Sequence, residues 1–171
     1  MAKVSFITMA ELKRNTYISG SLDVDKVKQF IDIAQETYVQ QYTGTRLFKK
    51  LQDLILSGNI NLPENANYLD LLNTHIKPMT IHWTMVEFLP ISGYSLGNGG
   101  VSRYQSNNAE NADTDEISDL TEISRSKAQH FTRRFIDFMV YNQNNFPEYN
   151  QNTNDDIYPD FGTSFIGWEL N

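Results

Sequence analysis

Through most of the first 141 positions apolar residues recur in steps of three and four, the period of an amphipathic helix. Thr8-Met9-Ala10-Glu11 has the form of a capping box and predicts a short helix that Gly20 ends at the latest. Behind Asp23, a natural N-cap, the stripe Val27, Phe30, Ile31, Ala34, Tyr38 and Tyr42 predicts a second helix up to Gly44. Thr45 then caps a third, whose Phe48, Leu51, Leu54 and Ile55 end at Ser57-Gly58-Asn59. The Thr43-Gly44 joint is tight, so these two helices are expected to pack as a hairpin or at a sharp angle. The longest run, Leu69, Leu72, Ile76, Met79, Trp83 and Val86, passes through Pro78 and stops at Pro90. A proline there predicts one kinked helix or two abutting ones. A last helix is expected from about Ile117 to Tyr141, with Leu120, Ala128, Phe131, Phe135 and Phe138 on one side, roughly 37 Å long. Segments 23–57, 65–89 and 117–141 should form one bundle with Trp83 and Phe135 in its core.

Three stretches break this period. Tyr94 to Tyr104 sets Gly97-Asn98-Gly99-Gly100 between short segments with alternating large side chains and predicts a β-hairpin. Two strands are too few to be stable alone and must lean on something else. Residues 105–116 are rich in Asn, Ala and acid and read as a flexible connector, and residues 142–171 hold two Asn/Gln tracts with no period of either kind. The expected fold class is therefore mainly α: a helical bundle with a small inserted β-hairpin and a long irregular C-terminal tail. The helical domain is assigned to 1–141, with the hairpin at about 94–104, and the tail to 142–171.

At 171 residues the chain suits a single domain with a real core. No run approaches the roughly 18 apolar residues of a membrane span, and the first residues lack the apolar core of a secretory signal. The absence of cysteine excludes disulfide scaffolds, thiol catalysis and Cys-bound zinc. The net charge of -7 is unevenly spread: residues 1–104 carry 10 Lys/Arg against 9 Asp/Glu, while 105–123 carry 6 acids and 142–171 carry 5, with no base in either. Residues 124–141 carry 4 bases and 1 acid. The body is thus nearly neutral and its flanks repel phosphate, which argues against nucleic acid as the main partner.

Candidate chemistry is sparse. His75, His82 and His130 have no spacing such as H-E-x-x-H, so no metal site is expected, and His82 beside Trp83 reads as a helix-surface or interface residue. Asp113-Thr114-Asp115-Glu116 lacks the Gly and distal Glu of a calcium loop; acids opposing a helix dipole explain it. The glycines at 97–100 are not followed by Lys-Ser/Thr or a helix and read as a turn, not a phosphate cradle. Lys127, His130, Arg133 and Arg134 gather on one flank of the last helix. They can touch a phosphate backbone or an acidic partner, or form a solvated face with Arg133 or Arg134 paired to Asp137. No nucleophile stands in a recognisable context. No catalytic residue, cofactor or enzymatic activity is expected.

The aromatic load is harder to place. Of 9 Tyr, 10 Phe and 2 Trp, several fall where no local core can form: Tyr94 and Tyr104 in the hairpin, then Phe146, Tyr149, Tyr158, Phe161, Phe165 and Trp168. They either fold back onto their own domain or meet another subunit.

The order of short N-terminal helices, a helix bearing Ile81-His82-Trp83-Thr84-Met85-Val86-Glu87-Phe88-Leu89-Pro90, a Gly/Asn hairpin ending in Val101, an acidic connector and a long final helix resembles the head-tail connector (adaptor) proteins of tailed bacteriophages. The likeness covers about residues 5–141 and is nearest to the connectors of crAss-like phages, whose Asn-rich composition it shares. It implies a homo-oligomeric ring, commonly of twelve copies, beneath the portal protein. Such a ring joins a tail-side adaptor or tail protein and continues the channel through which DNA passes without sequence-specific binding. It implies a structural protein of the virion neck, made in the host cytoplasm, with no catalytic residues and no membrane partner. Tyr94, Leu96, Val101 and Tyr104, with Phe161, Phe165, Ile166 and Trp168 of the tail, are then the expected intersubunit or portal contacts. The basic flank faces the channel or a partner, and the tail becomes ordered on assembly by clasping a neighbour. The alternative is a non-viral helical adaptor or regulatory interaction module.

Overall fold

In the computed structural model, which describes residues 4–18, 24–97, 100–103, 113–150 and 156–162, the first helix starts as its capping box predicts. The Thr8 hydroxyl accepts from the Glu11 amide at 3.2 Å, and the Glu11 carboxylate accepts from the Thr8 amide at 2.8 Å, opening α1 over Met9–Asn15. Helix α2, Val24–Ala34, buries Val27, Phe30, Ile31 and Ala34; its expected cap Asp23 lies outside the described residues.

A single π-helical turn, Gln35–Val39, joins α2 to α3, Gln40–Leu56. The wider turn directs Gln35 inward, where its side-chain Oε1 accepts from the Phe6 amide at 2.6 Å and its Nε2 donates to the Val4 carbonyl at 3.1 Å. The N-terminal segment is thereby fastened to the bundle, with Phe6 edge-on to Phe48. The expected joint at Gly44 is present: Gly44, with φ 73° and ψ 157°, is non-helical, and two helical segments meet across this kink within the stretch labelled α3.

The run through Pro78 is segmented, as expected. Helix α4, Ala66–Leu71, passes through a second π turn, Leu72–Ile76, into α5, Lys77–Phe88, so the proline falls in the first turn of α5. The Lys77 amide reaches back to the Leu72 carbonyl, and the widened turn accommodates the proline ring that a regular helix would drive into a carbonyl. After a 3₁₀ turn at Leu89–Ile91, the backbone of β1, Tyr94–Gly97, pairs antiparallel with β2, Gly100–Arg103, with Tyr94 opposite Arg103 and Gly97 opposite Gly100.

Helix α6, Thr114–Asn142, begins earlier than its apolar stripe suggests, because Asp113 and Glu116 form a second capping box. The acids at 113–116 thus serve a helix start. The predicted stripe needs correction at its N-terminal end. Leu120 is 40% exposed, and the buried face is made instead by Thr121, Ser124, Ala128, Thr132, Phe135 and Met139. Helix α5 brings Thr80 and Thr84, also buried. Small side chains let the two helices approach closely, and the hydroxyls of Thr80, Thr84, Thr121 and Thr132 each donate to a carbonyl four residues back at 2.7–2.8 Å. Hydroxyls satisfied in this way can be buried without a lost hydrogen bond.

Trp83 and Phe135 lie in the core as expected. Tyr38 stacks on Trp83 with centroids 3.9 Å apart, and the indole Nε1 donates to Thr132 at 3.0 Å. A smaller cluster of Ile7, Leu12, Val27, Phe30, Ile31, Ile81, Met85 and Phe88 seats α1 and α2 on α5.

The tail boundary at 142 does not mark the end of the core. A 3₁₀ turn, Gln143–Asn145, leads into α7, Pro147–Asn150, and both Phe146 and Tyr149 are about 1% exposed. Phe146 packs edge-on to Tyr68, and Tyr149 edge-on to Phe135. A four-residue helix has no readable period, which is why these rings looked partnerless. Further on, residues 156–162 return to α3 as a strap. Thr45 donates its amide to the Ile157 carbonyl at 2.9 Å, Ile157 donates to the Thr45 hydroxyl at 2.9 Å, and Asp160 donates to the Gln41 carbonyl at 2.9 Å. Phe161, an expected intersubunit contact, packs on Tyr149 and Tyr158 of its own chain and is 45% exposed. No helix among the described residues is long and apolar enough to cross a membrane.

Candidate functional site

Helices α1, α5 and α6 meet around a groove of about 460 Å³. Its floor is apolar, from Pro78 and Ile81 of α5 and Phe131 of α6; its polar groups are Glu11 and Arg14 of α1, Asn73 of the π turn, and Lys77 and His82 of α5. Capping and pairing explain why Glu11 stands here. One carboxylate oxygen holds the start of α1 and the other accepts from Lys77 Nζ at 2.8 Å. Partial burial would raise the Glu11 carboxyl, but hydrogen bonds from Lys77 and Thr8 outweigh it and hold its pKa low. Glu11 is therefore an ionised part of the scaffold with its bonding already committed.

His82 stacks parallel to Phe131 with centroids 5.2 Å apart. Burial, aided by the charge of Lys127, pushes its pKa from the usual 6.5 down to about 4, so the imidazole is neutral at neutral pH and offers one donor and one acceptor. The chemistry available is hydrogen bonding from Arg14, Asn73, His82 and the spare donors of Lys77, beside a stacked aromatic pair. With two cations against one acid, it suits a group bearing a single negative charge.

Protonation of His82 should cost stability. The unfolded chain takes up this proton near pH 6.5 and the folded chain only near pH 4, so stability should fall as pH drops through that window. His75, whose pKa is lowered by burial and by Arg134 against the pull of Asp70, acts in the same direction. Urea titrations of His82→Gln between pH 7 and 4 should show a shallower loss than the parent; an equal loss would place the acid sensitivity elsewhere.

Of the predicted basic flank, Lys127 is engaged by Tyr17: its Nζ donates to the Tyr17 hydroxyl at 2.9 Å and lies 5.0 Å over that ring. His130 is exposed and edge-on to Phe131, and Arg133 and Arg134 are exposed on α6. Helical spacing sets Leu120, Ile123, Lys127, His130, Arg134, Asp137 and Tyr141 along one side of α6, in alternating steps of three and four residues. Leu120, Ile123 and Tyr141 on this seam are 40%, 47% and 85% exposed. Tyr94 is 43% exposed and, with Pro90 and the start of α6, borders a second cavity of about 260 Å³. Leu96 and Val101 belong to β1 and β2, while Tyr104, Phe165, Ile166 and Trp168 lie outside the described residues.

Arg14, Asn73 and Lys77 were not singled out by the sequence, since each looks like an ordinary surface residue of its own helix. The one available signal was Glu11 in its capping box.

The sequence model of a family of unknown function, DUF6712, matches residues 39–158, well over half of the chain. The chain belongs to DUF6712. No curated protein and no solved structure matches it. The DUF6712 region starts just before the Gly44 kink and ends within the strap, so the Thr45–Ile157 hydrogen bonds tie its two ends together. It includes the α5 and α6 walls of the groove and the seam on α6, while α1, which carries Glu11 and Arg14, precedes it.

Proposed function

We propose that this DUF6712 protein is a structural subunit of a head-tail connector ring in the neck of a tailed bacteriophage, seated between the portal and the tail and continuing the DNA channel. The observation that carries the reading is the seam on α6. Large apolar side chains at heptad-like spacing on the exposed side of a long helix are what a second helix needs for packing. Leu120 and Ile123 supply them near the start of α6 and Tyr141 near its end, with Lys127, His130, Arg134 and Asp137 between to set register. Apolar anchors flanking a mainly basic stretch suit a different, complementary surface on a neighbouring copy of the chain, and such a head-to-tail contact repeated by rotation closes a ring. The ribbon Tyr94–Arg103, paired only with itself among the described residues, is assigned to the neighbouring subunit or the portal, because two strands need a support. The body, nearly neutral outside its acidic segments, suits a channel wall that DNA must slide past without being held.

Mass spectrometry of purified particles from the phage that encodes the chain tests this. The chain should be present at a copy number near that of the portal. Ile123→Asp should remain folded by circular dichroism yet fail to enter particles. Absence of the parent chain from particles would end the connector reading.

A further inference from the structure

The groove between α1, α5 and α6 has an apolar floor and a small positive excess, and its polar groups are unequally occupied. Glu11 is committed to the Thr8 cap and to Lys77, and Lys77 keeps two further donors. No protein group hydrogen-bonds the side chains of Arg14, Asn73 or His82 among the described residues. Beside them the stacked pair of His82 and Phe131 offers an aromatic surface. The ligand such a groove recognises is a carboxylate with a ring or large apolar group next to it. A phosphate ribbon would leave the floor of Pro78, Ile81 and Phe131 unused and would bring many charges towards Glu11.

The chain carries one short segment of that composition beyond its described strap: Phe165-Ile166-Gly167-Trp168-Glu169, with a single acid adjacent to Trp and no base. Asp160 is tied to Gln41 of α3, its amide donating to the Gln41 carbonyl at 2.9 Å and its carboxylate accepting from Gln41 Nε2 at 3.1 Å, and it accepts from the amide of Gly162, the last described residue before the segment, at 2.7 Å. Resting on the ring reading, we propose that the groove is the receptor for Trp168-Glu169 of a neighbouring copy, with Glu169 against Arg14 and Lys77 and Trp168 against His82 and Phe131. The strap then keeps the tail on its own subunit as far as Gly162 and passes only its last residues to the next.

Because the sequence has no cysteine, one introduced on each partner reports the contact without background. Two full-length populations, one Asn15→Cys and one Leu170→Cys, are mixed under assembling conditions and oxidised. A disulfide between the two is expected, and Arg14→Glu in the Asn15→Cys partner should lower its yield at least tenfold. Glu169→Arg in the other partner should restore it. Circular dichroism checks that the exposed Arg14 substitution leaves the fold intact. Three results overturn the proposal: a yield indifferent to charge reversal; a disulfide formed only within a chain carrying both cysteines, which would give the groove to its own tail; or no disulfide, with duplex DNA binding that Arg14→Glu abolishes. A chain present in particles without the cross-link leaves the ring reading standing, and a cross-link in a chain absent from particles leaves the groove assignment standing.

Discussion

Phe135→Ala should lower the unfolding free energy by about 3–5 kcal/mol, the usual cost of truncating a fully buried aromatic ring. Phe135 is 0% exposed, and it is where the middle of α6 meets the last short helix, with Tyr149 edge-on to it at 6.1 Å. Removing the ring therefore opens a cavity and also takes away the surface on which α7 rests, so collapse of the site offers little relief. Urea unfolding followed by circular dichroism gives the value directly. Leu120→Ala on the same helix serves as the control: its side chain is 40% exposed and the cost should stay within about 0.5 kcal/mol. Similar costs for the two would mean that the buried face of α6 is wrongly assigned.

Gly44→Ala should cost about 2–4 kcal/mol, from backbone strain of about 1–3 kcal/mol together with weakened strap hydrogen bonds worth roughly 1 kcal/mol each. With φ 73° and ψ 157°, Gly44 occupies a region that other residues hardly enter. A Cβ there would also lie 2.7 Å from the Pro159 ring and 3.1 Å from its backbone nitrogen. Either the kink in α3 or the strap must give way. Pro159→Ala distinguishes the two contributions, since it removes the ring but leaves the dihedral strain. In that background Gly44→Ala should be less costly, and the shortfall measures the steric part. Equal costs in both backgrounds would mean that the strap does not press on Gly44. Increased cleavage of the chain after residue 150 in Gly44→Ala alone would show that the strap is what yields.

Much of the helical order was legible in the residues. The capping box at Thr8, the glycine at the end of α3 and the apolar stripes of α2, α3 and α5 act within a turn or two, so their pattern survives without knowledge of the fold. Both π turns were invisible, because they alter the period by one residue and depend on what lies opposite: Gln35 on the N-terminal segment, and Pro78 needing room. The face of α6 was misjudged at Leu120 for a related reason. Hydropathy ranks a leucine above Thr121 and Ser124, yet the close approach of α5 leaves space only for small side chains, and hydroxyls bonded to their own helix no longer count as polar.

The candidate groove shows the same division. Its members come from positions 11 to 131, and none belongs to a local motif that announces binding. What the sequence determined by itself is the principal helices and several of their ends, the absence of thiol chemistry and the separation of a neutral body from acidic flanks. Each of these follows from local backbone preferences or from composition. Only the tertiary structure decided that Phe146 and Tyr149 belong to the core, that the strap lies across Gly44, and that Arg14, Lys77 and His82 face one another. Those outcomes depend on which surfaces are brought together from well-separated parts of the chain, and burial, unlike helical period, is a property of the surroundings that no residue carries alone.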